Sequence, residues 1–238
     1  MLTLILAESA LETIPESLWN HPAIRKYSKS HGKHPKFTLL DRSYHHTAMK
    51  SLQFNQKRGR PDIVHFALLE ALGSPLNKEK LLTIYVHTID DHVMWVNPET
   101  RLPRNYSRFV NLLEQLFEFK KVPPNSQKPL LSLKQETLAQ LINEVQPSHV
   151  LALSRIGQRT VLENAISSLA KTRAPAVLIG GFPEGHLSKA TLELADETVC
   201  IDPEMLETWT VVSRVVYEFE RAISLSRRRL RQADASTR

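Results

Sequence analysis

Short apolar runs punctuate the chain at Leu2–Ala7, Phe37–Leu40, Leu81–His87, Val150–Leu153, Ala176–Ile179 and Thr198–Ile201. Each is bounded by turn or cap residues, which is the mark of a buried strand. Between several of them apolar residues recur at helical spacing, over about Ile63–Leu72, Tyr106–Phe119, Lys134–Val145 and a stretch after Ser154. This alternation predicts an α/β architecture with a mostly parallel sheet. The Tyr106–Phe119 helix has an apolar face of Tyr106, Phe109, Val110, Leu113, Leu116 and Phe117, while Arg104 and Arg108 share the opposite face with Asn111 and Gln115.

The last third of the chain is the most informative. The strand Ala176–Ile179 runs into Gly180-Gly181-Phe182-Pro183-Glu184-Gly185, and the strand Thr198–Ile201 stops at Asp202-Pro203. An N-cap donor followed by a first-turn proline predicts a helix from that point. Along that helix Met205, Trp209, Val212, Val216, Phe219 and Ile223 form a seam, widened by Leu206, Val211 and Val215. The seam serves either burial within one chain or contact with a second copy. A strand, a glycine turn, a strand and a helix in this order is how a nucleotide-like cofactor is held. The loop lacks both the P-loop ending Gly-Lys-Ser/Thr and the dinucleotide fingerprint, so phosphate binding is not indicated. Glycines and a proline without a basic residue suit a neutral or zwitterionic ligand read through backbone groups, such as an adenosine-containing methyl donor. The other reading is a glycine that merely turns the chain.

With 238 residues and 42% apolar content, the chain can bury one good core or two small ones. Pro123–Pro129 is the clearest linker and is read as a long loop within a single domain spanning 1–238. No eighteen-residue apolar run indicates a membrane span, and Met1–Ala7 lacks the basic leader of a signal peptide. A single cysteine, Cys200, fits a reducing compartment, so a cytoplasmic location is expected. The formal charge of +6 is unevenly spread: residues 21–60 hold ten of the 31 Lys and Arg but one of the 25 acids, Asp41. That segment carries +9 and the remainder −3, which points to a polyanion partner, RNA being favoured. His31, His34, His45 and His46 lack a carboxylate or cysteine to complete a metal set, so no metal is expected. Spacing supports no Ser-His-Asp arrangement. Trp19 and Trp95 read as core or rim, and the tail Arg227–Arg231 as a frayed end.

Two basic motifs carry further chemistry. In Lys57-Arg58-Gly59-Arg60-Pro61-Asp62 the acid either caps the following helix or holds the Arg60 guanidinium ready to grip a phosphate or base edge. Arg101, Arg104 and Arg108 cluster at a helix start, where cations oppose the dipole and cost stability, as a phosphate-binding surface would.

Together these motifs, with Glu207-Thr208-Trp209-Thr210-Val211-Val212-Ser213-Arg214-Val215-Val216-Tyr217-Glu218, identify a family likeness. The chain resembles the ribosome-biogenesis pseudouridine N1-methyltransferases, the Emg/Nep family of the SPOUT class, over essentially its full length and in the compact archaeal form. The resemblance implies a SPOUT-like, mostly parallel sheet with helices on both faces and a C-terminal trefoil knot. It also implies a homodimer that uses S-adenosylmethionine to methylate a pseudouridine in small-subunit ribosomal RNA and serves small-subunit biogenesis. The alternative is an RNA-binding assembly factor in which methyl transfer is secondary. By the same resemblance, Leu153, Gly180, Gly185, Ile201, Asp202, Pro203, Glu204, Met205 and Leu206 would contact the cofactor within a knot over about 150–225. Arg60, Arg101, Arg104 and Arg108 would hold RNA in a basic region over about 20–120, with Asp62 bracing Arg60. Ribosomal proteins of the small subunit are further expected partners. No proton acceptor is assigned: a carboxylate tied to a guanidinium is a poor base near neutral pH, so Asp62 is given a positioning role.

Overall fold

The computed structural model describes residues 1–236. In chain order the elements are β1 (Leu2–Ser9), α1 (Pro22–His31), α2 (Arg42–Met49), α3 (Pro61–Gly73), α4 (Pro75–Lys78), β2 (Leu82–Thr88), β3 (His92–Val96), α5 (Tyr106–Phe119), β4 (Lys121–Val122), β5 (Leu131–Gln135), α6 (Leu138–Val145), β6 (His149–Arg159), α7 (Leu162–Leu169), β7 (Pro175–Gly180), α8 (Lys189–Leu192), β8 (Glu197–Cys200), α9 (Thr208–Ala222) and α10 (Leu225–Ser236). Eight strands form one sheet in the order β4-β5-β3-β2-β1-β7-β6-β8. The run from β2 to β8 is parallel, and β3, β5 and β4 extend it antiparallel.

β1 lies at the centre and is buried throughout. Side chains alternate across a strand, so Leu2, Leu4 and Leu6 join the core shared with α3, α5, α7 and α9, while Ile5 and Ala7 pack with Leu138 and Leu141 of α6 on the other face. Helices therefore cover both faces, as expected. A third cluster of Ile14, Leu18, Ile24, Leu40, Ala48 and Met49 knits the basic segment together. Most of the long apolar seam of α9 is spent inside the chain: Val212, Val215, Val216 and Phe219 are buried, against α3 and α7. Among the described residues no helix is long and apolar enough to cross a membrane.

Several sequence expectations need correction. Phe37–Leu40 is not a strand but a 3-10 turn over Pro35–Phe37 followed by an extended piece that makes one bridge, Thr13 to Leu39. Its leucines are buried by side-chain clusters rather than by a sheet. The Lys134–Val145 helix starts later, at Leu138, because Thr137 and Gln140 form a capping box, and Lys134 and Gln135 belong to β5. No helix follows Ser154 directly: β6 continues to Arg159 through a register shift against β8, and α7 begins at Leu162. Nor does a helix start at Asp202-Pro203. Asp202 Oδ1 instead accepts the Glu204 N–H at 2.9 Å, closing a local turn, and α9 begins at Thr208. The Arg227–Arg231 tail lies within α10 rather than fraying.

The irregular part of β6 depends on Gly157, where a Cβ would lie 2.6 Å from the Thr198 carbonyl and the Val199 nitrogen. No flexible side chain is there to yield. Gly157→Ala is expected to cost about 1–3 kcal/mol of stability through overpacking, read by urea denaturation; an unchanged midpoint would show that β8 moves away freely.

Candidate functional site

The register break of β6, the C-terminal end of β7 and the chain leaving β8 surround a cleft open to solvent. Its place, where regular parallel pairing gives out at the carboxyl side of these strands, suits a small-molecule ligand. The strands deliver Leu153, Ser154 and Arg155 from β6 and Ile179 and Gly180 from β7. The glycine turn adds Phe182, Pro183, Gly185 and His186, and the turn after β8 adds Ile201, Asp202, Glu204, Met205, Leu206 and Glu207. Of the nine residues expected to hold a cofactor, eight line this cleft. Pro203 does not, because the Asp202 turn carries it away from the wall.

The cleft floor is fixed by backbone approach. Gly181 N–H donates to the Ala7 carbonyl at 2.9 Å and its own carbonyl accepts from Ala10 N–H at 2.8 Å, so the turn is laced to the end of β1. Thr208 Oγ1 donates to the Gly180 carbonyl at 2.8 Å and ties the start of α9 to the same turn. A Cβ on Gly180 would meet the Phe182 ring at 2.8 Å. Gly185 sits at φ +103, a conformation few other residues adopt.

Beneath this turn lies a network not foreseen from the sequence. Glu8, at φ 51 where β1 breaks register, is buried. Its carboxylate accepts from Lys57 Nζ at 2.7 Å and from Ser188 N–H at 2.7 Å. Lys57 also donates to the His186 carbonyl and stands 4.2 Å from the Phe182 ring centroid, a cation–π contact. Burial raises the Glu8 carboxyl, but the bonds from Lys57, Ser188 and Thr191 outweigh it and hold the group below its ordinary 4.5. The only sequence signal was an acid directly after an apolar strand.

Lys57 begins the motif in which Gly59 and Pro61 are buried and Arg58, Arg60 and Asp62 are half-buried. Arg58 pairs with buried Glu12 through Nε at 2.7 Å and through Nη2. Arg60 and Asp62 form the two-pronged bond expected of a brace, Nε to Oδ1 at 2.8 Å and Nη2 to Oδ2 at 2.7 Å. Asp62 also lies in the first turn of α3, where its charge suits the helix dipole, but no side chain caps that helix. The hydrogen bonds to Asp62 raise the Arg60 guanidinium further, with Glu207 of the cleft rim and Asp41 contributing from nearby.

Arg101, Arg104 and Arg108 are exposed and make no ion pair among the described residues. Their loop is docked on α3: His65 Nε2 lies 2.7 Å from the Pro103 carbonyl, and its ring stacks on Phe109 at 4.2 Å. Tyr106 donates its hydroxyl to Asp41 at 2.5 Å, and burial together with that carboxylate pushes its ionisation far up. Burial also lowers His45 to about 4, so it stays neutral while its Nδ1 accepts the Asp41 N–H at 3.0 Å. His21 and His34 cap helical turns in the same way. These histidines spend ring nitrogens on the backbone.

A family model described as EMG1/NEP1 methyltransferase matches residues 4–220. The ribosomal RNA small subunit methyltransferase Nep1 of Staphylothermus marinus is 46% identical over 215 residues, covering 90% of this chain and 93% of its own. Its counterpart from Pyrococcus furiosus is 45% identical over 219 residues, covering 92% and 96%. Among solved structures, the Archaeoglobus fulgidus Nep1 bound to S-adenosylhomocysteine matches with a TM-score of 0.81 at 39% identity, covering 93% of this chain and 98% of that one.

The Glu8 network makes a pH prediction. Because the folded carboxyl titrates below its unfolded value of 4.5, its stabilisation is present above that pH and lost as pH falls through the folded value. Glu8→Gln is expected to cost about 1–3 kcal/mol at pH 7, with the gap to wild type closing as pH falls below the ordinary 4.5. Thermal melts across pH 3–7 check this; a gap that widens in acid would contradict it.

Proposed function

The chain belongs to the EMG1/NEP1 methyltransferase family, and from that premise we propose that it methylates N1 of a pseudouridine in small-subunit ribosomal RNA as a homodimer. It is an S-adenosylmethionine-dependent ribosomal RNA methyltransferase. The observation that carries the finer reading is the adjacency of the cleft and the braced Arg60, whose field reaches Glu207 on the cleft rim.

The cleft fits this cofactor by its own chemistry. Leu153, Ile179, Ile201, Leu206 and Val211 offer apolar walls for an adenosine, and Asp202, Glu204 and Glu207 offer carboxylates toward sulfonium and ammonium charge. Arg155 is the guanidinium on the wall, suited to a carboxylate. The Ser154 hydroxyl, also on the wall, is buried without a hydrogen-bond partner, a cost that a ligand bond would remove. Leu153, Gly180, Gly185, Ile201, Asp202, Glu204, Met205 and Leu206 would hold the cofactor, with Pro203 shaping the turn. When bound, it supplies an electrophilic methyl on sulfur.

This chain's residues supply placement and charge. Pseudouridine, unlike uridine, has a free N1–H; its proton would pass to solvent, and the nitrogen anion left would be the nucleophile for the methyl, with S-adenosylhomocysteine as the leaving group. Arg60, held in one orientation by Asp62, favours that anion electrostatically. Arg101, Arg104 and Arg108 grip flanking phosphates. The basic 20–120 region would thus face RNA and the 150–225 region the cofactor, within one SPOUT-like unit. A second copy is supported by apolar surface that the chain leaves uncovered: Phe66, 48% exposed, packs edge-on against Trp209 at 5.3 Å, and Met205 is 52% exposed at the rim. With small-subunit RNA as substrate, the cytoplasm is the proposed compartment and ribosomal proteins of the small subunit the proposed neighbours.

Labelled S-adenosylmethionine incubated with matched hairpins carrying uridine or pseudouridine in the loop tests the reaction. Transfer to pseudouridine alone is expected; tight hairpin binding with no transfer would instead favour an assembly factor. Asp62→Ala is expected to weaken hairpin binding by about 1–3 kcal/mol while calorimetry finds S-adenosylhomocysteine affinity unchanged. A large loss of cofactor affinity would sink the positioning role.

A further inference from the structure

The family match ends at residue 220, yet the chain continues into a firmly docked helix. After Ser224, at φ 52, α10 opens with Leu225, fully buried. One turn on, Arg229 Nε donates to Glu79 Oε1 at 2.9 Å, fastening the helix beside α4. α10 shows solvent a largely cationic surface that also carries exposed Leu230 and Asp234. Arg227, Arg228 and Arg231 are exposed, and spacings of three and four place them on one face. No acid stands between Arg221 and Asp234 in the sequence. Among the described residues none of the three forms an ion pair. Lys78, at the end of α4, is exposed as well.

Such a face is costly in isolation. Like charges at helical spacing repel, and Arg227 and Arg228 lie in the first turn of α10, where the dipole is already positive. A polyanion relieves both costs, and guanidinium groups match phosphate geometry better than ammonium groups do. The position is also informative. α3 starts at Arg60 and ends beside α4, on which α10 rests. With 13 residues it is about 20 Å long, which sets the separation between its Arg60 end and the end that meets α4. A target loop held at Arg60 would bring its flanking duplex, not its bases, toward α10.

We propose that the exposed face of α10, carrying Arg227, Arg228 and Arg231, is a second RNA site that grips the phosphate backbone of duplex flanking the methylated loop. This rests on the ribosomal RNA substrate of the preceding reading. It contributes affinity and orientation without base specificity.

The test compares full-length wild type with the triple variant R227Q/R228Q/R231Q on two RNAs, a minimal hairpin and the same loop with an extended stem, over a salt titration. The variant is expected to bind the extended RNA more weakly, with the slope of log affinity against log salt flattened by about 2–3. Binding to the minimal hairpin, methyl transfer to it and S-adenosylhomocysteine affinity should all be unchanged, which also establishes that the variant is folded. Equal affinity and slope for wild type and variant on the extended RNA would overturn the proposal and leave the face to an acidic protein. Equal losses on both RNAs would overturn it too, by reducing the effect to general charge. Failure of wild type to bind either RNA would instead defeat the reading of the substrate.

Discussion

A buried carboxylate must find partners or give up its charge, and Glu8 is the group around which this molecule settles that demand. It sits at the end of the central strand, and its partners come from two distant stretches: Lys57 from the basic segment and Ser188 from beyond the glycine turn. Satisfying one acid therefore draws together the two halves of the candidate site. Lys57 then props the turn from below, against Phe182 and the His186 carbonyl, while three residues onward Arg60 is near enough to Glu207 of the cleft for their charges to interact. The left-handed backbone at Glu8 costs about 1–3 kcal/mol and is offset because no straight continuation of β1 would aim the carboxylate at both partners.

How much of this was legible in the sequence depended on whether a feature was local. The parallel strands were, because an apolar run between turn residues has few other uses; Leu2–Ala7 and Ala176–Ile179 fall within β1 and β7. So was the Tyr106–Phe119 helix, whose apolar face and Asn105 cap leave little choice. The antiparallel strands β3 and β5 were not read. Leu131–Gln135 is polar at three of its five positions, and His92–Val96, though apolar apart from His92, is only five residues long; both are strands because they lie beside β2 and each other. Asp202-Pro203 misled for a physical reason: an Asp side chain that caps a helix caps a single turn equally well.

The site was legible in outline. Residues expected at the cleft came from three stretches, Leu153, the loop of Gly180 and Gly185, and Ile201–Leu206, and the sheet brings all three to one place. The clamp beneath was hidden, since nothing in a sequence says that positions 8, 57 and 188 meet. The arginines of the 101–108 stretch could be named as a surface cluster, but their docking through His65, Tyr106 and Asp41 is a product of the tertiary structure.

The central position of β1 has a consequence for how the chain reaches this state. Residues 2–9 are made well before one of the two neighbours they need, β7 at 175–180. Their apolar side chains have no complete sheet until that strand has been made. Pairing across such a separation carries a large loop-closure cost before any contact repays it, and topologies dominated by distant pairs fold slowly. A nascent chain would thus hold an unpaired, largely apolar strand in waiting, exposed to aggregation in proportion to the time synthesis takes.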